Sequence, residues 1–546
     1  MQELQAALEA AGQKLFDVDI AAELTRPDEK FGDYASNAAL QLAKQLGRNP
    51  REVAEALAGE LKNQALLANV TVAGPGFLNF KLTDEALARA AFAATSLPKP
   101  LAGKEILVEF GDPNPFKEMH IGHLYSLIVG DAIASLLDAN GASVRRLGYH
   151  GDVGRHVAMA IWGMQNNKGS IGECYAAGAK AYEENEKAKT EIQAINEHIY
   201  KKDDAEINKL YDEGRSQSLA GFEQIYQQLG VKYDHDYFES ESSSIGVKLV
   251  EDHRNVFKTS DGAIVYEGEK AGLHTRVFIT SKGLPTYETK DLGLAELKNR
   301  DYPDAARSII ITANEQSEYF KVMLAALTEI DPTLAKKTTH LSHGFVNLST
   351  GKMSSRSGDV YTGATLIDAV DKAAKEQFPD SAPANRTPLA ALKYDFLKSR
   401  LGGDITFDVA ESVSLEGNSG PYLQYAHARA RSILGKAKTG NRGEGIGDSD
   451  SYPLPTTHYP LEPGERGLAR KISEYPEVIA KATAELMPHH VTTYLYELAQ
   501  AFNRFYEGNR VIGHQREAAR LGLVEIYADV LRHGLGLLNI ATPDKM

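Results

Sequence analysis

His120 and His123, separated by Ile121 and Gly122, stand directly before a helix-like run from Leu124 to Leu137. An apolar stretch, E-I-L-V-E-F at Glu105 to Phe110, lies shortly upstream. A strand feeding a loop that opens a helix aims backbone N–H groups and a positive dipole end at one point, where a polyphosphate binds best. Two imidazoles in that first turn can donate hydrogen bonds to phosphate oxygens as charge builds on a phosphorus under attack. Gly122, lacking a side chain, permits close approach of an adenine ring. The chemistry implied is that of ATP held without a Walker loop. Met in isolation, the same two histidines could cap a helix or pack in a core.

Far downstream, G-K-M-S-S-R at Gly351 to Arg356 follows another strand-like stretch, His340 to Leu348. Lys352, Met353, Ser354, Ser355 and Arg356 sit on a small loop flanked by Gly351 and Gly358, suited to closing over a triphosphate. Lys117, three residues before His120, is a further cation within reach; read without context it is a solvated loop lysine.

The elements that must carry these residues follow from pattern. Strands are predicted at Glu105 to Phe110, Ser143 to Tyr149, Val277 to Thr280, Ser308 to Thr312 and His340 to Leu348, with helices between several of them. That alternation implies a parallel, doubly wound sheet. Between about Gly163 and Lys258 the chain turns charged and helix-forming, including Ala181 to Leu229, which reads as an insertion between the halves of the nucleotide fold. Ahead of this, Ala35, Ala38, Ala39, Leu42, Ala43 and Leu46 recur at helical spacing. Asn49-Pro50 ends that run before a second helix, Arg51 to Leu61, and Val70 to Leu82 reads as two strands around a Gly-Pro-Gly turn. Pro98, Lys99 and Pro100 make a stiff step that marks a domain boundary. From about Thr387 strand signals fade into helical periodicity, interrupted by a polar stretch, Lys438 to Pro463, read as a surface loop. The expected organisation is α/β: a small α+β domain over 1–98, a Rossmann-type catalytic domain over 99–375 with its helical insertion at about 163–258, and an all-α bundle over 387–546.

Composition narrows the class. At 546 residues the chain exceeds one core. No apolar stretch is read as long enough to span a bilayer, so no membrane partner is expected. The N-terminus, M-Q-E-L-Q-A-A-L-E-A, lacks the order of a signal peptide. A single cysteine, Cys174, excludes intramolecular disulfides and cysteine-cluster zinc sites, and fits a reducing cytoplasm. The formal charge of −14 by itself favours an ordinary metabolic enzyme over a nucleic-acid binder. Local basic patches can coexist with an acidic total, however.

The two signatures together resemble the H-I-G-H and K-M-S-K-S motifs of class I aminoacyl-tRNA synthetases. P-N-P-F-K-E-M-H-I-G-H-L at Pro113 to Leu124, T-Y-E-T-K-D-L-G at Thr286 to Gly293 and G-P-Y-L-Q-Y-A-H-A-R at Gly420 to Arg429 are similar to arginyl-tRNA synthetases, and the resemblance runs over nearly the whole chain. It implies an enzyme that activates arginine with ATP, accompanied by Mg²⁺, and transfers it to a tRNA. It also implies a monomer without a structural metal, and activation that depends on bound tRNA. The second motif departs from the family pattern, with Ser355 and Arg356 where its second lysine and last serine stand, and Lys117 is then the implied electrostatic substitute.

A guanidinium demands carboxylates and an aromatic face. Tyr287 and Asp291, four apart at the start of a predicted helix, share one face. With Glu109, Asn114 and Gln316 they match the positions at which this family holds arginine. His150 to Gly154 resembles the family's G-D-x-G segment and is expected near the ribose or the RNA end, a glycine-permitted tight turn being the plain alternative. Gly32 to Ala39 and Val72 to Phe77 resemble a module that touches the tRNA elbow. Tyr422, Gln424, Tyr425, His427, Arg429 and Arg431, followed by Phe502, Asn503, Arg504 and Tyr506, interleave aromatics with arginine as single-stranded bases require. Tyr422, Gln424, Arg429, Asn503 and Tyr506 are the expected RNA contacts, although a helix must bury one face and about half of such residues belong to a core. A nucleotidyltransferase on the same fold and a non-catalytic RNA-binding relative are the alternatives.

Overall fold

The computed structural model describes residues 1–167, 169–349, 362–440 and 460–546. Two compact units are formed without regard to chain order. One comprises Met1–Ser96, Arg429–Glu477 and Tyr496–His533, the other Leu97–Ala428, Val478–Leu495 and Gly534–Met546.

In the first unit, helices α1 (Gln2–Phe16), α2 (Ala38–Leu46), α3 (Pro50–Leu61) and α4 (Asp84–Phe92) accompany strands β1 (Tyr34–Ser36), β2 (Leu67–Ala73) and β3 (Phe77–Leu82). The strands form an antiparallel sheet of order β1-β3-β2. The Asn49 side chain accepts a hydrogen bond from the Arg51 N–H and Pro50 occupies the first turn of α3, so the pair that ends the first run also starts the second helix. At the turn between β2 and β3, Gly76 has φ +148° and a Cβ there would lie 2.9 Å from the Pro50 carbonyl oxygen. Only glycine fits. The N-terminal module is tied to a later helix, Pro463–Ser473, by Arg466, which pairs with Asp33 at 2.6 Å and Asp84 at 2.5 Å. Asp33 is buried and also accepts the Leu82 N–H at 2.7 Å.

The second unit is built on β4 (Glu105–Phe110), β5 (Ser143–His150), β6 (His235–Phe238), β10 (Arg307–Ala313) and β11 (Thr338–His343). They form one sheet of order β11-β10-β4-β5-β6 with every pairing parallel. Helix α5 (Ile121–Ala139) crosses from β4 to β5. Its Gly130 lies so close to the sheet that a Cβ would fall 2.1 Å from the Phe110 ring. Contrary to the expectation of no bilayer-length stretch, α5 is 19 residues long and apolar enough to qualify. It is 78% buried inside the protein, so its hydropathy belongs to a core helix.

Helices α6 (Arg155–Asn166), α7 (Ile171–Glu184), α8 (Glu186–Lys201) and α9 (Ala205–Leu229) form the charged insertion. The insertion ends earlier than the expected 258. The chain returns as β6, the sheet's fifth strand, and α10 (Glu239–Asp252). H-D-Y-F is too short and too polar to announce a parallel strand, which normally reads as an apolar run. The strand expected at Val277 to Thr280 is displaced from the parallel sheet. It is β9 (Arg276–Ile279), paired antiparallel in a small sheet with β7 (Lys258–Ser260) and β8 (Ala263–Tyr266). The stretch His340 to Leu348 is also two strands, because the chain breaks at Gly344, where a Cβ would fall 2.0 Å from the Gly403 carbonyl oxygen. Beyond the break, β12 (Val346–Leu348) pairs with β13 (Ile405–Phe407). Helix α11 (Tyr287–Asp301) follows β9, and α12 (Ser317–Ile330) follows β10.

Candidate active site

In this topology the connections from β4 and β10 leave on opposite sides of the sheet, so a crevice opens beyond their adjacent carboxyl ends. The loop after β4 carries Asn114, Lys117 and His120, and the turn after β10 carries Gln316. The chain that follows the second signature meets the loop after β4 at Thr362 and Gly363. His120 forms an isolated antiparallel bridge with Thr362, and the Gly363 N–H donates to the Met119 carbonyl at 2.7 Å. On the other flank, the Ser349 hydroxyl donates to Asp408 at 2.7 Å. Lys352, Met353, Ser354, Ser355 and Arg356 themselves lie outside the described residues.

His120 is the N-cap of α5, and its backbone N–H donates to Nδ1 of His123 at 3.1 Å. The two rings stack with centroids 3.8 Å apart. Burial, then the charge of Lys117, pushes His120 below the ordinary imidazole range. Burial, followed by His120 and Lys117, pushes His123 well below it. Both imidazoles are therefore neutral near pH 7. Since His123 Nδ1 accepts, its proton resides on Nε2, free to be donated outward. Gly122 has a local reason beside the expected one, since a Cβ there would meet the His120 ring at 3.0 Å.

The carboxylates gather at the strand ends. Glu109, on β4, is buried and ion-paired to Lys298 of α11 at 2.6 Å, each side chain only 3% exposed. Asp112 follows with φ +46° and accepts the Tyr149 N–H at 2.9 Å. Asp291, on α11, is buried beside Tyr319. Tyr319 in turn donates to Gln316 Oε1 at 3.5 Å. Burial, reinforced by the charge of Glu109, raises both Asp112 and Asp291 well above the usual carboxylate range. Glu239, at the start of α10, pairs with Lys290 of α11 at 2.5 Å in a buried bridge. Tyr287 is 61% exposed at the mouth, with Lys290 Nζ 5.3 Å from its ring centre. Asn114 is partly buried against the second loop, its Oδ1 only 2.1 Å from where a Gly151 Cβ would be.

The sequence-level reading missed Asp112, Tyr149, Tyr319, Glu239, Lys290 and Lys298. One signal could have found a lysine: Lys298 lies seven residues, two helical turns, beyond Asp291, and Glu109 sits inside an otherwise apolar strand that must supply it a cation. In the His150–Gly154 loop the polar side chains His150 and Asp152 are turned into the protein. Asp152 is completely buried, accepting from Ser240 N–H and Oγ and from Tyr211, each at 2.8 Å, and pairing with Arg215 at 3.1 Å. His150 joins Pro113 O at 2.9 Å and Asp236 at 3.1 Å.

The expected RNA contacts divide. Gln424 is fully buried, and its amide donates to the carbonyls of Asn385 and Ala541 at 2.8 Å each. It holds the C-terminal tail, as the buried face of a helix must hold something, and is not open to RNA. His427 is likewise buried, with Nδ1 2.9 Å from Pro543 O. Tyr422 is partly buried. In the first unit Arg429 lies over the Tyr506 ring at 5.0 Å, with Asn503 and Tyr506 partly buried nearby in sequence.

Three stretches match family descriptions in succession. Residues 2–82 match the arginyl tRNA synthetase N terminal domain, 90–386 the catalytic domain of class I tRNA synthetases (R), and 423–546 the DALR anticodon binding domain. An arginine–tRNA ligase of Limosilactobacillus reuteri is 31% identical over 575 residues, covering 100% of this chain and 99% of that protein. One from Porphyromonas gingivalis is 28% identical over 604 residues, covering 100% of each. The arginyl-tRNA synthetase structure of Thermus thermophilus superposes with a TM-score of 0.83 at 26% identity over 100% of both chains. That of Plasmodium falciparum shares the fold, with a TM-score of 0.80 at 20% identity over 100% of this chain and 99% of that one. The catalytic-domain match alone spans more than half the residues, and the chain belongs to the arginyl-tRNA synthetases of class I.

Proposed function

We propose that the protein is an arginine–tRNA ligase. The arginine carboxylate attacks the α-phosphorus of Mg²⁺-bound ATP in line, pyrophosphate leaves, and the 2′-hydroxyl of the terminal adenosine of the tRNA takes the arginyl group from the adenylate. The observation that carries the reading is a pair of carboxyl groups left without a cation at the strand ends. Among the described residues Lys298 and Lys290 are paired with Glu109 and Glu239, while Asp112 and Asp291 have no ion pair and are held well above the usual carboxylate range. A planar guanidinium and an α-ammonium supply the cations against which those two carboxyl groups can ionise, displacing the protons that burial keeps on them.

In this reading Asp291 and Glu109 receive the guanidinium, Tyr287 lies against its plane, Gln316 fixes an edge, and Asn114 holds the amino-acid end. His123 Nε2–H and His120 donate to phosphate oxygens, and Lys117 adds the charge that the altered signature loop lacks, alongside Lys352 and Arg356. Positioning and electrostatics supply the rate, since phosphoryl chemistry asks little covalent work of the protein. Tyr422, Arg429, Asn503 and Tyr506 remain candidates for anticodon contacts, and the N-terminal module for the tRNA elbow. Cytoplasmic action as a monomer belongs to the same reading.

Aminoacylation with each amino acid and bulk tRNA tests it. Arginine alone should be charged, with lysine and citrulline discriminated by roughly 10⁴-fold, because a poorer partner leaves a buried carboxylate unsatisfied. Charging of another amino acid, or of none, would overturn the assignment.

A further inference from the structure

The loop between β4 and α5 holds an unusual backbone. Asp112 has φ +46° and Phe116 φ +68°, and Phe116 is also completely buried. A bulky residue in the left-handed region persists only where its surroundings over-determine it. Those surroundings come from the charged insertion. The Phe116 N–H donates to Ser218 Oγ of α9 at 2.9 Å, and that hydroxyl donates to the Gly214 carbonyl at 2.7 Å. The Phe116 ring rests on Gly214, where a Cβ would fall 2.2 Å from a ring carbon. Tyr211 of α9 flanks the same ring, with centroids 6.0 Å apart. The next two residues meet α7. Lys117 Nζ sits 4.9 Å from the Tyr175 ring centre, and Glu118 lies against Gly172, where a Cβ would come within 2.8 Å of its carboxylate. Three consecutive residues of the loop thus each meet the insertion. A cleft of about 240 Å³ opens beside them, lined by Lys117, Ser170, Gln217 and Thr362 among others.

We propose that the insertion is a clamp on the ATP-side loop, in which Gly214 and Ser218 set the Phe116 backbone and Tyr175 is a positioning residue holding the Lys117 ammonium at the mouth of the phosphate site. Core packing accounts for the burial of Phe116. It does not account for a lysine from a solvent-side loop drawn over an aromatic face, an arrangement whose attraction is electrostatic and directional. While so held, the ammonium is close enough to both signature histidines to depress their protonation. The clamp therefore holds the charge in place before ATP arrives, and the reorganisation cost of the reaction falls.

The inference rests on the reading that Lys117 serves ATP, and the experiment separates the two. ATP–pyrophosphate exchange is measured on the full-length enzyme with tRNA present. Lys117→Ala tests the reading: it should lose exchange by far more than it changes the arginine KM, and parental kinetics would sink the reading itself. Tyr175→Leu tests the clamp. It should lower kcat about 3- to 10-fold, the range of a partly desolvated cation–π contact, with arginine KM within twofold. Tyr175→Phe keeps the ring face and should stay within twofold of the parent. In Lys117→Ala, adding Tyr175→Leu should cost nothing more, since the two act as one unit. Where Tyr175→Leu folds poorly by circular dichroism, Tyr175→Met makes the same comparison. A normal kcat in the leucine or methionine variant, equal losses in Tyr175→Phe and Tyr175→Leu, or full additivity with Lys117→Ala would each overturn the clamp while leaving the role of Lys117 intact.

Discussion

The two ends of the active-site crevice are prepared in opposite ways. At the proposed arginine end, the strand ends and α11 gather four carboxyl groups beside two lysines, and the two without an ion pair, Asp112 and Asp291, are held above the usual carboxylate range. At the phosphate end the imidazoles are neutral and the strain is conformational, held in the left-handed Phe116 and the stacked His120 and His123. The difference follows from what each end must recognise. A permanent cation of fixed shape is met by carboxyl groups already gathered out of water, which ionise against it as it enters. A triphosphate gains charge at different oxygens as the reaction proceeds. It is better met by oriented donors that carry no net charge of their own, with the proposed contribution of Lys117 added beside them.

Removing a carboxylate should break the comparison most visibly. Asp291→Ala is expected to lower kcat/KM for arginine by about 10³-fold or more, because the guanidinium loses its charged partner inside a dry site. ATP KM should stay within a few-fold. An arginine KM near the parental value would mean that the acidic cluster is structural and the guanidinium is read elsewhere.

Lys298→Met sharpens the same point from the other side. It removes the cation that faces Glu109 while preserving the apolar stem, and a buried ion pair broken at one partner costs about 3–5 kcal/mol. The variant should therefore lose several degrees of thermal stability in the free state. Added arginine should recover part of that loss, since it brings its own positive charge. Thermal unfolding with and without saturating arginine reads both quantities. Equal destabilisation in the two conditions would show that Lys298 supports the fold without tuning the pocket.

Lys298 also marks where sequence reading ran out. The strand β4 and the histidine turn were legible because an apolar run, a glycine and a helix periodicity coincide there. Tyr287 and Asp291 do stand four apart at the start of α11 as predicted, with Asp291 buried and Tyr287 exposed. The buried lysines were not legible, because a lysine in a helix is normally solvated and only the tertiary proximity of Glu109 and Glu239 makes Lys298 and Lys290 exceptions. β6 was hidden by its shortness, and β9 was misassigned because R-V-F-I has the composition of a core strand wherever it pairs. Gln424 exposes the limit of compositional argument: Tyr, Gln and Arg in one helix suit RNA equally with a tail-binding face. Only packing decides which.

The smallest expected effect is a pH dependence, and it discriminates the two ends most directly. In the empty pocket Asp112 and Asp291 keep protons that the unfolded chain has already released, so raising pH through their elevated range removes stability from the free protein. Arginine binds the ionised carboxylates and must displace those protons at lower pH. Its KM should therefore fall several-fold as pH rises from about 6 to 8.5, up to a limit of tenfold per pH unit for each proton released. The histidines cannot supply this trend. Both are pushed below the ordinary imidazole range by burial, His123 further than His120, so ATP KM should change less than arginine KM across that window. Parallel slopes for arginine and ATP would erase the contrast between an electrostatically loaded pocket and a neutral phosphate site. A falling arginine KM beside a flatter ATP KM locates the titration at the strand ends, and Asp291→Asn should then reduce the slope because one of the two displaceable protons is gone.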